Sequence, residues 1–145
     1  MLQKKLKFKK LTPTAKLPTR GTDSAAGYDL YLSEDAKITG EHLLGPTMVK
    51  FGVAVEIPEG YVGLLTARSS THKNYEVIQT NSVGIIDSDY RGELKAPYEG
   101  AEQTLRIGAK LCQLVIVPVY NPQAVWADEL STTERGEGGF GSTDV

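Results

Sequence analysis

Residues 49–60 read Val-Lys-Phe-Gly-Val-Ala-Val-Glu-Ile-Pro-Glu-Gly and carry the clearest structural signal in the chain. From Val49 to Val55, bulky apolar side chains alternate with polar or small ones. The two sets would therefore point to opposite sides of an extended chain. Pro58 and Gly60 then supply turn residues. This stretch predicts a half-buried strand that ends in a turn.

Short strands of this kind extend along the rest of the sequence. The 145 residues include 15 glycines and 7 prolines, which interrupt the chain too often for long helices. One helical turn is predicted at residues 70–74. Further strands are predicted at residues 4–11, 28–32, 61–66, 77–79, 92–96, 104–107, 111–119 and 125–130. The sequence therefore indicates a single all-β domain built as a sandwich, jelly roll or barrel.

Composition excludes several classes of function. A formal net charge of −2 does not suit a protein that coats nucleic acid. The lysine-rich residues 4–10 alternate with apolar ones, which favours an exposed edge strand. Cys112 is the only cysteine and lies in an apolar run, so a buried, unreactive thiol is expected. Without a membrane-length apolar segment or a signal peptide, we expect no membrane partner and a cytoplasmic location.

The composition changes sharply after Leu130. Residues 131–145 are rich in Gly, Ser and Thr and carry Arg135 and Phe140. We predict a β domain over residues 1–130 and a flexible Gly-rich arm over residues 131–145. Two interpretations stay open for the arm at this point: a flap that closes over a ligand, or plain disorder.

Three segments could form a ligand-binding or catalytic site. Residues 81–92 place Asp87 and Tyr90 between two apolar stretches, which predicts a hairpin whose bent backbone suits a planar base; a simple turn is the alternative. Arg68-Ser69-Ser70 could bind an anion at a helix start, or its serines could simply cap the turn. In the arm, Arg135 could donate a pair of hydrogen bonds to phosphate oxygens, and Phe140 could stack on a base.

These segments, in this order, resemble the five short motifs of the trimeric dUTPase family. The counterparts are Ser24-Ala25-Ala26-Gly27-Tyr28-Asp29-Leu30, Ala67-Arg68-Ser69-Ser70, residues 81–92, residues 108–114 and residues 135–143. The resemblance implies a distorted jelly-roll (β-clip) subunit and a homotrimer with active sites at subunit interfaces. It also implies Mg²⁺-dependent hydrolysis of dUTP to dUMP and pyrophosphate by water attack at the α-phosphorus. Such a reaction limits uracil in DNA and supplies dUMP for dTMP synthesis.

The resemblance also implies roles for single residues. Asp87 would be the base that orients and deprotonates the attacking water. Tyr90 would pack under the deoxyribose and exclude a 2′-hydroxyl. Asn81 would bind uracil together with the hairpin backbone at Gly84 and Ile86.

The phosphates, the metal and the closing arm account for the other implied roles. Asp29 would reach Mg²⁺ indirectly, through water. The remaining substrate-binding residues would be Arg68, Ser69, Ser70, Gln113, Arg135, Phe140, Gly141, Ser142 and Thr143. The sequence departs from the family pattern at Ala67, Ser70, Ala109 and Asp144, and Asp144 places a negative charge near the phosphates.

Three other functions compete with this interpretation. A dCTP deaminase resembles the fold and shares an Arg-Ser-Ser segment, but it would need a catalytic Glu beside the pyrimidine amino group. A regulatory module would use nucleotide binding as a switch for a protein partner. A purely structural jelly roll would give no reason for Asp87, Arg135 and Phe140 to occur together.

Overall fold

A computed structural model describes residues 5–40 and 44–141 of the chain. They form short strands joined by turns, with one short helix, α1 (Thr71–Tyr75). The strands are β1 (Lys7–Lys10), β2 (Gly27–Tyr31), β3 (Ala36–Ile38), β4 (Thr47–Lys50), β5 (Val53–Glu56), β6 (Tyr61–Ala67), β7 (Val77–Gln79), β8 (Val83–Ile86), β9 (Lys95–Gly100), β10 (Gln103–Leu105) and β11 (Lys110–Pro118). The predicted all-β class and the helical turn near residue 70 are confirmed.

All strand pairs are antiparallel. One sheet has the order β2-β11-β6-β8, and a second has the order β4-β9-β7. Two further pairs, β1 with β5 and β3 with β10, complete the structure. Because neighbours in a sheet are far apart in the chain, the architecture is a jelly roll rather than a series of hairpins.

The sheets enclose one apolar core. Its largest fully buried side chains are Leu30, Leu32, Ile38, Val49, Phe51, Val55, Leu65, Leu94, Tyr98, Leu105, Leu111 and Leu114. Burying one such aliphatic or aromatic side chain contributes about 1.5–3 kcal/mol. Within the described residues, no helix has the length and apolarity needed to cross a bilayer.

The predicted strand over residues 49–56 is two strands. Gly52 has a φ of +67°, a left-handed conformation that favours glycine, and a side chain there would meet Thr12 and Ser33. The chain changes partner at this point, since β4 pairs with β9 and β5 pairs with β1. The apolar face from Val49 to Val55 is buried, as its alternation predicted.

Other strand boundaries also differ from the prediction. The strand predicted at residues 92–96 begins only at Lys95, and β3 was not predicted. The strand predicted at residues 125–130 is wrong: this segment is exposed and irregular, and the chain leaves the sheet after Pro118. A lone extended segment without a pairing strand is not stable in water. The lysine-rich start forms an edge strand, as predicted, in its described part; Lys4 lies outside the described residues.

Candidate functional site

The acidic turn at residues 87–90 joins the two larger sheets. β8 pairs with β6, and the chain then turns, with the Tyr90 amide donating to the Asp87 carbonyl at 3.1 Å. β9, which follows, pairs with β4 and β7 instead. The predicted hairpin is therefore wrong, because the strands on either side of the turn belong to different sheets. Arg91 Nη1 fixes the turn by donating to the carbonyls of Ser88 at 2.6 Å and Tyr90 at 3.1 Å.

A cavity of about 300 Å³ opens beside this turn. Four residues that the sequence singled out line it: Asn81, Ile86, Asp87 and Tyr90. Its other lining residues are Met48, Ile85, Glu93, Lys95 and Pro97, which sequence reasoning missed. Met48 and Pro97 face each other across β4 and β9, so the second sheet supplies one wall. No local sequence signal could have found that wall, since it depends on pairing between distant strands.

Tyr90 is held in place by its own turn. Its hydroxyl donates to the Glu93 carbonyl at 3.0 Å, and its ring covers Gly92 so closely that any side chain at Gly92 would collide with it. Tyr90 is 39% exposed. One aromatic face is thus available on the cavity wall, and Gly92 is required for that arrangement.

A wider, polar cleft of about 950 Å³ lies on the other side of Asp87. Asp87 and Ile85 line both the cavity and the cleft. The Asp87 side chain is exposed, so its carboxylate is open to water. Asp87 therefore lies between a smaller cavity and a larger cleft.

A second polar cluster lies on the central sheet and joins Asp29, Arg68 and Lys110. Arg68 Nε donates to Asp29 Oδ1 at 2.8 Å, and Lys110 Nζ lies 3.7 Å from Asp29 Oδ2. Arg68 Nη1 also donates to the Lys110 carbonyl at 3.2 Å. The Asp29 side chain is only 13% exposed, so charge-assisted bonds stabilise its carboxylate.

Gln113 belongs to the same cluster. It faces Asp29 across β2 and β11, and its Nε2 donates to the Ala67 carbonyl at 3.3 Å. The structure thus brings Asp29, Arg68 and Gln113 together. They do not line the cavity or the cleft beside Asp87.

The serines after Arg68 are not used as helix caps. Ser70 occupies the N-cap of α1, but its side chain makes no capping hydrogen bond, so the capping alternative is wrong for Ser70. Buried Thr71 anchors the turn instead: its Oγ1 donates to the Leu111 carbonyl at 2.6 Å and accepts from the Arg68 amide at 3.1 Å. Sequence reasoning missed Thr71.

The described part of the arm is exposed except at Gly138 and Gly139, which are half-buried. Arg135 Nε donates to the Gly138 carbonyl at 2.8 Å, and the Gly138 amide donates back to the Arg135 carbonyl at 3.1 Å, which closes a small local turn. The Phe140 side chain is fully exposed, and Gly141 follows it with a φ of +88°. Ser142, Thr143 and Asp144 lie outside the described residues.

Cys112 is fully buried, which confirms the burial predicted for this thiol. Burial raises the pKa of this thiol to about 12. Across residues 5–40 and 44–141, no three His, Cys, Asp or Glu side chains are grouped so as to hold a metal ion.

The antiparallel sheets define a small all-β protein of the jelly-roll class. A model of the dUTPase family matches residues 13–144. The chain belongs to the dUTPase family.

Relatives and solved structures agree with this assignment. Deoxyuridine 5′-triphosphate nucleotidohydrolases of Hydrogenobaculum sp. and Escherichia phage T5 are similar to the chain. The Hydrogenobaculum protein is 40% identical over 97% of this chain and 99% of its own length. The phage T5 protein is 42% identical over 92% of this chain and 95% of its own length.

Two phage enzymes share the fold. A mutant dUTPase of Staphylococcus bacteriophage 80alpha, solved with dUpNHpp, has a TM-score of 0.85 at 29% identity, covering 97% of this chain and 99% of that one. A mutant dUTPase of phage phi11 of S. aureus, which coordinates a structural Mg(II) ion, has a TM-score of 0.77 at 28% identity over 87% and 98% of the two chains.

Proposed function

We propose that the protein is a dUTP diphosphatase that hydrolyses dUTP to dUMP and pyrophosphate. The observation that carries this proposal is the position of Asp87, which lines both the 300 Å³ cavity and the open cleft. A base and sugar in the cavity would leave the triphosphate on the cleft side, with a carboxylate between them. The nucleotidohydrolase relatives support the same reaction.

Asp87 is the general base in this proposal. Hydrolysis of a phosphoanhydride needs an in-line water and stabilisation of charge on the phosphate oxygens. An exposed carboxylate at the end of β8 can accept the proton of that water. Attack at the α-phosphorus would yield dUMP, which supplies dTMP synthesis. Removal of dUTP by the same reaction would keep uracil out of DNA.

The phosphate chain would be held by the second cluster and the arm. Arg68 is oriented by Asp29, and Gln113 lies beside it. The hydroxyls of Ser69 and Ser70 follow in the same loop, and that of Ser70 does not cap α1. Such fixed donors stabilise developing negative charge without reorganising during the reaction. Arg135, Phe140 and Gly141 of the arm, with Ser142 and Thr143, would then cover the bound nucleotide.

Mg²⁺ fits this site only through the substrate and water. Mg²⁺ takes oxygen ligands and commonly keeps several waters when it binds phosphates. The Asp29 carboxylate is already paired with Arg68 and Lys110, so it suits an acceptor for a metal-bound water better than a direct ligand. When bound, the ion would neutralise charge on the phosphates.

A homotrimer is part of the proposal. In a single chain, the cluster of Asp29, Arg68 and Lys110 does not line the cavity or the cleft beside Asp87. A complete site would therefore combine Asp87 of one subunit with this cluster of another. The apolar side chains of Tyr120, Val125, Trp126 and Leu130 are almost fully exposed in one chain. Apolar exposure on this scale is typical of surfaces that contact another protein.

The proposed function is tested by measuring pyrophosphate release from dUTP, dTTP, dCTP and UTP, each with Mg²⁺ and with a chelator. We expect release from dUTP with Mg²⁺ and little from the other nucleotides. A narrow slot would exclude the 5-methyl group of dTTP, and Tyr90 would exclude the 2′-hydroxyl of UTP. The amino group of dCTP would leave buried polar groups unmatched, at about 1–3 kcal/mol each. The chelator should suppress the reaction. Ammonia release from dCTP would instead identify a deaminase and contradict the proposal.

Tyr90 is expected to be the filter against ribonucleotides. Replacing Tyr90 with Ala opens the cavity wall on which the sugar would rest, so activity on UTP relative to dUTP should rise about tenfold or more. Tyr90→Phe is the matched control, because it keeps the ring and loses only the bond to the Glu93 carbonyl. Steady-state kcat/KM for both nucleotides gives the ratio. Equal ratios in all three proteins would exclude Tyr90 from sugar selection.

A further inference from the structure

We propose that Gln79 is a positioning residue that fixes the side-chain amide of Asn81 so that its NH₂ group faces the nucleobase. This inference rests on the proposed binding of a uracil nucleotide in the 300 Å³ cavity. Gln79 does not line that cavity. It would act on the base only through Asn81.

Gln79 is the last residue of β7 and is 7% exposed. Its Nε2 donates to the Leu65 carbonyl at 2.8 Å and to Asn81 Oδ1 at 2.9 Å. Its Oε1 accepts from the Tyr98 hydroxyl at 3.2 Å and from the Cys112 thiol at 3.6 Å. The buried amide therefore uses both of its donors and its acceptor.

These contacts fix which way both amides point. A backbone carbonyl can only accept, so the nitrogen of Gln79 must face Leu65. The second N–H of the same nitrogen then requires an acceptor on Asn81, which places Asn81 Oδ1 against Gln79. A rotated Gln79 would instead set its oxygen against the oxygens of Leu65 and Asn81. The nitrogen of Asn81 is thus left to face outward.

The far side of Asn81 borders the cavity. Its Nδ2 lies 3.6 Å from the point where a side chain on Gly84 would begin, and Asn81 itself lines the cavity. Because Gly84 has no side chain, a ligand can approach this NH₂ group. Asn81 therefore offers a hydrogen-bond donor to a bound base.

The buried residues that hydrogen-bond to Gln79 are themselves held in place. Tyr98 is fully buried, and its hydroxyl also lies 3.3 Å from the Leu111 carbonyl. That carbonyl accepts from Thr71, whose hydroxyl accepts from the Arg68 amide. One buried network thus extends from the Arg68 loop to Asn81, and an amide held in this way does not rotate freely.

A fixed donor selects between pyrimidines. Uracil carries a carbonyl oxygen at ring position 4, where cytosine carries an amino group. A donor facing that position is matched by uracil and leaves two donors opposed with cytosine. We assign the position-4 contact to Asn81 Nδ2, and its fixed direction to Gln79.

The experiment compares dUMP and dCMP binding by titration calorimetry in the full-length protein and in two variants. Gln79→Met keeps the volume but removes all four hydrogen bonds, so Asn81 can rotate. The preference for dUMP over dCMP should then fall about tenfold. Tyr98→Phe is the matched control: it loses a buried hydroxyl and some thermal stability, but Gln79 still donates to Leu65 and Asn81. Its preference should match the original protein.

The inference is wrong if Gln79→Met keeps the original preference, or if Tyr98→Phe loses it equally. Should Gln79→Met fail to fold, Asn81→Asp decides, since Asn81 is exposed and an Asp there would still accept from Gln79. In this variant the second carboxylate oxygen would face the base, so the preference for dUMP over dCMP should fall. An unchanged preference would mean that the oxygen of Asn81, and not its NH₂ group, faces the base in the original protein. If the original protein binds dUMP without hydrolysing dUTP, only the proposed function fails. If it binds neither nucleotide, both fail.

Discussion

Replacement of Asp87 by Asn should nearly abolish hydrolysis of dUTP while nucleotide binding persists. The amide keeps the size of the side chain but cannot accept the proton of the attacking water. General-base catalysis contributes about 10²–10⁴-fold to a rate, so kcat should fall by roughly this factor. Rapid-quench measurement of dUMP formation gives kcat, and calorimetry with dUMP gives the affinity.

Asp89→Asn is the control for the Asp87 variant. Asp89 lies in the same turn and lines the open cleft, but it does not line the 300 Å³ cavity. The variant changes the local charge by the same amount, so most of kcat should remain. If the two variants lost activity equally, the effect would come from the charge of the turn and Asp87 would not be the base.

Deletion of residues 131–145 should remove most of the catalytic efficiency and leave the fold intact. The described hydrogen bonds of residues 131–141 join these residues to one another, as in the Arg135–Gly138 turn, and none joins them to the sheets. Loss of a charge-assisted phosphate contact and of one aromatic stack corresponds to roughly a 10²-fold fall in kcat/KM. The melting temperature should stay within about 1 °C of the intact protein, since little buried surface is lost.

Phe140→Ala separates the two contributions of the arm. It removes the stack but keeps Arg135, so kcat/KM should lie between the values of the intact and the shortened proteins. A large drop in melting temperature on deletion would contradict this interpretation. The arm would then be a structural element of the assembly.

The sequence predicted the features that depend on local periodicity. Alternation around Val49 to Val55 identified a buried face, and turn residues at Pro58 and Gly60 marked its end. Because side chains in a strand alternate whatever its partner is, this signal needs no knowledge of the fold. It indicated the all-β class, and the resemblance to five short motifs supplied the jelly roll.

Features that depend on pairing between distant strands could not be predicted. The partner change at Gly52, the wall formed by Met48 and Pro97, and the separation of β8 from β9 all follow from which strands pair. Alternation over residues 125–130 suggested a strand, yet alternation reveals an amphipathic segment and not its partner. The role of Gln79 was hidden for a similar reason, because a glutamine in a short strand has no special signature.

In the cluster of Arg68, Lys110 and Asp29, two positively charged side chains form ion pairs with one carboxylate. One positive charge of this cluster is thus left unbalanced, and the protein beside it screens charge less than bulk water does. A polyanion that diffuses towards this face is attracted before any contact forms, and mobile ions weaken that attraction over about 8–10 Å at ordinary ionic strength. The rate of encounter should accordingly follow ionic strength more closely than the rate of the chemical step does.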